Sequence, residues 1–266
     1  MPMTPPSWTD GPGGSWLDGL RLALTTYTVA PVAGPGTLDR VVAGRAMTLG
    51  PAVGALLGAL LGGLLAVFAA GLPALVAATL TVGLAALLSR GLHLDGLADT
   101  VDALGSYRSR ERALEIMKSP EVGPFGVVAL ILVLLLQVGA LAQLSARPLP
   151  ALVAAVAAAV AGGRLAITEA CRRGVPAARP GGMGALVAGT VHPAALALAA
   201  LLVAALAVPA VPGRPWQGPA AVLASLLVVA GLRVHLVRRF GGVTGDVLGF
   251  LSETATTVIA IGLILF

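Results

Sequence analysis

FGVVALILVLLLQVGALAQLSARPLPALVAAVAAAVAGGRLAITEAC, residues 125–171, reads as two membrane crossings and the tight turn that joins them. Residues 125–146 hold no charged side chain, and 149–171 are apolar except for Arg164 and Glu169. About 20 apolar residues cross a bilayer as a helix, and a helix suits lipid because it satisfies its own backbone. Arg147 and Pro148 mark the turn. Outward from this stretch, comparable runs appear at 47–70, 72–88, 194–211, 219–239 and 247–266. The run at 72–88 is short, and the last one carries Glu253. The fold expected is all-α: a polytopic integral membrane helix bundle of about seven transmembrane helices.

Composition agrees with a membrane chain. Hydrophobic residues make up 57% of the 266 positions and charged residues only 11%, against about 25% charged in a soluble domain. Abundant glycine and alanine let helix backbones approach closely in lipid. No polar stretch is long enough for a separate soluble domain, so residues 16–266 are expected to form one membrane-embedded catalytic domain. Residues 1–15, MPMTPPSWTDGPGGS, are rich in Pro and Gly and are expected to be disordered. They lack the basic and apolar regions of a cleavable signal peptide. The net charge of +5 follows the enrichment of Lys and Arg in cytoplasmic loops, so no nucleic-acid partner is expected. A single cysteine, Cys171, excludes an intrachain disulfide and a cysteine-based zinc site.

Before the spans, residues 17–33 have two faces: Leu17, Leu20, Leu24 and Tyr27 on one, and Asp18, Arg21, Thr25 and Thr28 on the other. That pattern suits an N-terminal interfacial or re-entrant helix, with a tilted eighth span as the competing reading. Placing 34–46 inside and alternating puts the loops at 89–124, 172–193 and 233–246 on one face. That face collects nearly all the arginines, while the opposite one keeps only Arg147 and Arg214. The charged face is therefore expected to be cytoplasmic, in the cytoplasmic membrane of a bacterium.

The loop SRGLHLDGLADTVDALGSYRSRERALEIMKSPEVGP carries the chemistry. Asp95, Asp99 and Asp102 fall at i, i+4 and i+7, one face of a helix. Like charges there repel, so a cation is expected among them. Carboxylates without softer ligands suit Mg²⁺, which is held by one or two carboxylates and substrate phosphates. A solvated acidic face is the plain alternative. It fits less well beside a span, among alternating apolar residues. Asp246 and Glu253 form a second acidic pair on one helical face, with Glu253 inside an apolar run. Carboxyls at membrane depth are costly and face functional cavities; a structural ion pair with Arg164 or Arg233 is the alternative. Gly242 and Gly245 flank Thr244 at a helix start, where backbone amides can cradle phosphate oxygens. Arg179 with Gly181 and Gly182 forms a glycine-rich basic loop, either a phosphate binder or a flexible linker. His93, two residues before Asp95, is placed to take a proton or to serve structurally, and Lys118 is either a phosphate ligand or a solvated helix end.

These residues resemble a known family, the adenosylcobinamide-GDP ribazoletransferases or cobalamin synthases. The resemblance runs through GLHLDGLADTVDAL (91–104), EIMKSPEVGPFG (115–126), ARPGGMG (178–184) and GGVTGDVLGFLSE (241–253), with a weaker match at PAVGALLG (51–58). The chain departs from the family pattern at Thr26, where an arginine is common, and at Ser119, where an aspartate often follows the lysine. The resemblance implies Mg²⁺ as cofactor. It also implies that the hydroxyl of α-ribazole, or of its 5′-phosphate, attacks adenosylcobinamide-GDP with loss of GMP. Asp95, Asp99, Asp102, Asp246 and Glu253 would share the metal site; His93 or a carboxylate would take the proton; Lys118, Arg179 and the glycines around Thr244 would bind phosphates. A lipid enzyme resembling the CDP-alcohol phosphotransferases is the runner-up. It would need an AR pair and a second GxxxDxxxD element that this chain lacks. A transporter with Arg164, Glu169 and Glu253 along an ion path is the third class. A homo-oligomer is compatible with the sequence.

Overall fold

The computed structural model describes residues 14–265, so most of the 1–15 stretch lies outside the described residues. Everything described is helix or irregular, apart from two isolated β-bridges. The order is α1 (Trp16–Tyr27), α2 (Arg40–Ala69), α3 (Ala74–Leu88), α4 (Leu92–Gly105), α5 (Arg110–Ile116), α6 (Pro124–Leu144), α7 (Leu149–Ala170), α8 (Met183–Val187), α9 (Pro193–Ala207), α10 (Gln217–Phe240) and α11 (Gly245–Ile264). A single 3₁₀ turn, Val208–Ala210, extends α9. Six of the stretches are long and apolar enough to cross a membrane, and the pair α3 and α4 makes a seventh candidate bent by 89°. That bend sets α4 nearly perpendicular to α3.

At the centre stands α7, buried along nearly its whole length. Its alanines and glycines leave room for neighbours to approach its backbone. Gly54, Gly58 and Gly62 of α2 repeat every four residues on one face. A Cβ on them would come within 2.9 Å of Val160 O, 2.7 Å of the Ala157 Cα and 2.9 Å of the Val153 Cα, respectively. This is the small-residue packing by which membrane helices associate without help from water. On another side of α7, Gly163 leaves space for Ser252 and Thr256 of α11. Glu169, near the end of α7, is buried and accepts from the Arg233 Nε at 2.9 and 3.0 Å. Arg172 adds a second cation at 3.3 Å. The buried carboxylate is thus paired, as burial requires, and it serves the bundle rather than an ion path.

The start of α1 is capped by Ser15, and the helix ends at Tyr27 after twelve residues. Twelve residues cover only about 18 Å, so no eighth span forms. The orientation also refines the expectation. Gly19, Ala23 and Tyr27 are the buried positions, whereas Leu17 and Leu20 are exposed. Small side chains let α1 lie on α2, since a Cβ at Gly19 would come within 2.6 Å of the Arg45 Cβ. The leucine edge is left for the interface. The second helix begins earlier than the apolar run suggested, because Asp39 caps it by accepting from the Val42 amide at 2.8 Å. At the opposite end of the bundle, Arg147 donates to the carbonyls of Ala210 and Leu263.

Candidate active site

The motif segments meet at one end of the bundle, and glycine contacts set their spacing. Helices α4 and α11 cross at Gly96 and Gly249. A Cβ at Gly96 would lie 2.6 Å from the Asp246 carbonyl oxygen, and one at Gly249 would lie 3.0 Å from that of His93. The contact is backbone on backbone, and it carries Asp95 and Asp99 up to Asp246. The loop 175–184 is stitched to 241–244 by two backbone bonds, the Ala178 amide to Val243 O at 3.0 Å and the Val243 amide to Pro176 O at 2.9 Å. Gly242 lies against the backbone of Pro176, Ala177 and Ala178. Its role is close approach, and it does not face the cavities. Arg110 closes the same corner, lying over Gly241 and donating to Ala178 O at 3.2 Å.

Two adjoining cavities result. The first, about 200 Å³, is lined by Thr26, Tyr27, His93, Asp95 and Asp246 together with apolar side chains of α2, α7 and α11. The second, about 180 Å³, is formed by Arg179, Gly181, Gly182, Thr244 and the start of α11. Met183, Gly245 and Asp246 belong to both. Arg179 bonds the Asp246 carboxylate at 3.2 Å, with both side chains partly open to solvent. The Thr244 hydroxyl caps α11 by accepting from the Val247 amide at 3.2 Å. Gly245 and Asp246, in the first turn of α11, line the second cavity, where a helix start favours anions.

The carboxylates repel one another. Burial, together with the charges of Asp95, Asp246 and Asp102, pushes the Asp99 carboxyl up to about 7. His93 is buried and stacked on Tyr27 with ring centroids 6.0 Å apart, and neither ring nitrogen has a hydrogen-bond partner. Burial, helped by the nearby Arg164 charge, keeps this imidazole neutral. The Arg164 guanidinium lies on Tyr27 at 6.0 Å, so arginine, tyrosine and histidine form a column in which the two rings line the first cavity and the arginine backs them.

Other expected site residues sit elsewhere. Asp102 is turned away from the cavities and accepts from the amides of Gly123 at 2.7 Å and Gly126 at 2.9 Å. It caps α6, because the glycine-rich GPFG stretch wraps around its carboxylate. Glu253 lies seven residues beyond Asp246, about 10 Å further along α11 at 1.5 Å per residue. There it accepts from Gln137 at 2.8 Å within a largely apolar pocket that also includes Arg164. The five acids thus do not converge. Among the described residues, no three His, Cys, Asp or Glu side chains stand close enough to hold a metal ion by themselves. Lys118 is exposed at the end of α5 and lines neither cavity. Its neighbour Met117 packs under Thr244, with sulfur and hydroxyl 3.8 Å apart. Sequence reasoning missed Tyr27, Met183 and the Arg164 column. The only signal for this wall was Thr26, which stands where the resembled family commonly has arginine and which lines the first cavity.

Comparison with known proteins matches this arrangement to one family. The family model described as cobalamin-5-phosphate synthase matches residues 19–264. A protein of Frankia casuarinae named adenosylcobinamide-GDP ribazoletransferase is 44% identical over 250 residues, covering 88% of this chain and 89% of the relative. Proteins with the same name from Corynebacterium efficiens and Nocardioides sp. are 39% and 41% identical, covering 95% and 90% of this chain and 94% of each relative. No solved structure matches. The match takes in all four motif segments, three of which line the two cavities, and the chain belongs to the cobalamin-5-phosphate synthase family.

Proposed function

We propose that this chain is an adenosylcobinamide-GDP ribazoletransferase that works by Mg²⁺-assisted phosphoryl transfer at the paired cavities, as one catalytic unit over residues 16–266. The family and the names of its relatives carry the activity. The observation that carries the mechanism is Asp246, shared by a carboxylate-lined cavity and an Arg179–glycine cup. In the reaction a hydroxyl oxygen of α-ribazole, or of its 5′-phosphate, bonds to the cobinamide-side phosphorus. The bond from that phosphorus to the GMP oxygen breaks, and the hydroxyl proton leaves to a base.

The donor set suits a divalent cation. Burial, with the charges of Asp95, Asp246 and Asp102, holds the Asp99 carboxyl up at about 7, and a cation among Asp95, Asp99 and Asp246 relieves the repulsive part of that shift. Three hard oxygen donors with no preformed cage match Mg²⁺, which is bound by few carboxylates and completed by substrate phosphates. These three aspartates would hold it, and bound Mg²⁺ would neutralise charge on the pyrophosphate. Asp102 and Glu253 are left to the α6 cap and the buried Gln137 pocket.

The remaining roles fall to other side chains. Arg179 exchanges its bond to Asp246 for the phosphates of the GDP group, where an arginine can donate two charge-assisted bonds. The first-turn amides of α11 orient the same phosphates. A carboxylate of the site, or His93 with its unpartnered ring nitrogens, accepts the proton of the attacking hydroxyl. The arginine-rich loops around the cavities support a site on the cytoplasmic side of a bacterial membrane. The test is GMP release by purified protein in lipid nanodiscs. GMP should appear from adenosylcobinamide-GDP only with both α-ribazole and Mg²⁺ present. Release of CMP from a CDP-alcohol, with no reaction on the corrinoid, would support the lipid-enzyme alternative and overturn the assignment.

A further inference from the structure

A second pair of cavities lies outside this site, between α2 and α9, and it is continuous from membrane depth to the charged face. The inner part, about 400 Å³, is an apolar slot lined by Pro51, Ala52, Leu198 and Leu202 among others. The outer part, about 480 Å³, includes Arg40, Arg45, Arg173 and His192. Trp16, Thr48 and Ala195 line both, so one slot opens into the other. Three arginines and no carboxylate line the pair. Arg40 already donates to the carbonyls of Ala185 and Ala188 at the end of α8. Arg45 differs: its guanidinium lies 5.4 Å from the Trp16 ring, and its Nη1 is buried without a partner. The Arg173 side chain is exposed at the rim.

We propose that this groove is a binding site for one anionic phospholipid, with an acyl chain in the α2–α9 slot and the phosphate on Arg45 and Arg173. A hydrocarbon slot at membrane depth beneath a cationic cup at the interface is complementary to that molecule in both shape and charge. Basic pockets between membrane helices on the positive side bind such headgroups, and tryptophan at the junction suits the interface. The site has a route to the other cavities. Trp16 begins α1 and touches the groove, while Thr26 and Tyr27 end the same short helix and line the carboxylate cavity. A lipid seated here therefore holds α1 in place as a wall of that cavity.

The test reads binding directly, so it is independent of the reaction assigned above. The full chain carries Trp8→Phe and Trp216→Phe, which leaves Trp16 as the sole tryptophan. It is reconstituted in phosphatidylcholine nanodiscs with equal small fractions of brominated phosphatidylglycerol or brominated phosphatidylcholine. Brominated phosphatidylglycerol should quench Trp16 several-fold more strongly. Arg45→Gln with Arg173→Gln should lower quenching to the phosphatidylcholine level, and Ala52→Phe, which fills the slot from an exposed position, should lower quenching by both lipids. Equal quenching by the two lipids in the parent protein would mean ordinary boundary lipid and would overturn the proposal, whether or not the arginine variant folds. Millimolar inorganic phosphate abolishing the preference would point to a free-anion site and would overturn it as well.

Discussion

Replacing Gly96 with alanine tests whether the α4–α11 contact sets the chemistry. The added Cβ would stand 2.6 Å from the Asp246 carbonyl oxygen and 2.9 Å from its Cα. Ordinary contact between heavy atoms begins near 3.5 Å, and both obstacles are backbone, so the helices must part by about 1 Å. Overpacking of this kind costs about 1–3 kcal/mol. Alanine in place of a mid-helix glycine returns about 1 kcal/mol, which leaves a net loss of about 0–2 kcal/mol. The variant should therefore insert and fold. Catalysis should suffer more, because Asp95 and Asp99 move relative to Asp246, and a misplacement of about 1 Å can cost about 10²-fold. Gly83→Ala is the control, since a Cβ there meets nothing within 4 Å. The assay is GMP release in nanodiscs alongside thermal unfolding. Full activity in folded Gly96→Ala would refute the claim that this contact sets the site, as would an equal loss in Gly83→Ala.

Arg179→Ala should raise the KM for the GDP-bearing substrate by about 10- to 100-fold, from the loss of charge-assisted bonds worth about 1.5–3 kcal/mol. The melting temperature should barely move, because the Asp246–Arg179 pair is partly open to solvent. Asp102→Asn should behave in the opposite way: lower thermal stability, by about 1–3 kcal/mol for a weakened α6 cap, with Mg²⁺ affinity unchanged by isothermal titration. Mg²⁺ affinity should depend on pH through Asp99. Burial and the neighbouring carboxylates raise its carboxyl from the ordinary aspartate range to about 7, so below pH 7 the metal must displace a proton. Affinity should then fall by up to tenfold per pH unit from pH 7 downward and level off above it, and a flat profile from pH 5 to 8 would contradict this.

Much of the bundle was legible because lipid imposes a simple rule on sequence. An apolar run such as 125–146 has few alternatives to a spanning helix, and α6 occupies Pro124–Leu144. The glycine-spaced motifs were legible as a set, but the role of each residue in them was not. Periodicity placed Asp95, Asp99 and Asp102 on one face. It could not show that the amides of Gly123 and Gly126, more than twenty residues further on, would claim Asp102. Glu253 shared a helical face with Asp246, yet a face says nothing of depth, and seven residues carry it into the Gln137 pocket. Gly242 reads as a phosphate-loop glycine and Gly96 carries no signal of its own; only the packed structure reveals the backbone each one admits. Tyr27 and Arg164 come from helices far apart in sequence, and nothing local predicts that their rings and charges stack.

Paramagnetic resonance with Mn²⁺ in place of Mg²⁺ tests the central claim most directly, that Asp95, Asp99 and Asp246 form one cation site. The purified chain in nanodiscs is titrated with Mn²⁺ in the presence of the GDP-bearing substrate, and free Mn²⁺ is read from its signal. If the three aspartates act together, Asp95→Asn, Asp99→Asn and Asp246→Asn should each weaken the same binding event by tenfold or more, while Asp102→Asn and Glu253→Gln leave it intact. Wild-type Mn²⁺ binding in Asp246→Asn, with loss only in Asp95→Asn or Asp99→Asn, would separate the α4 and α11 carboxylates and contradict the account.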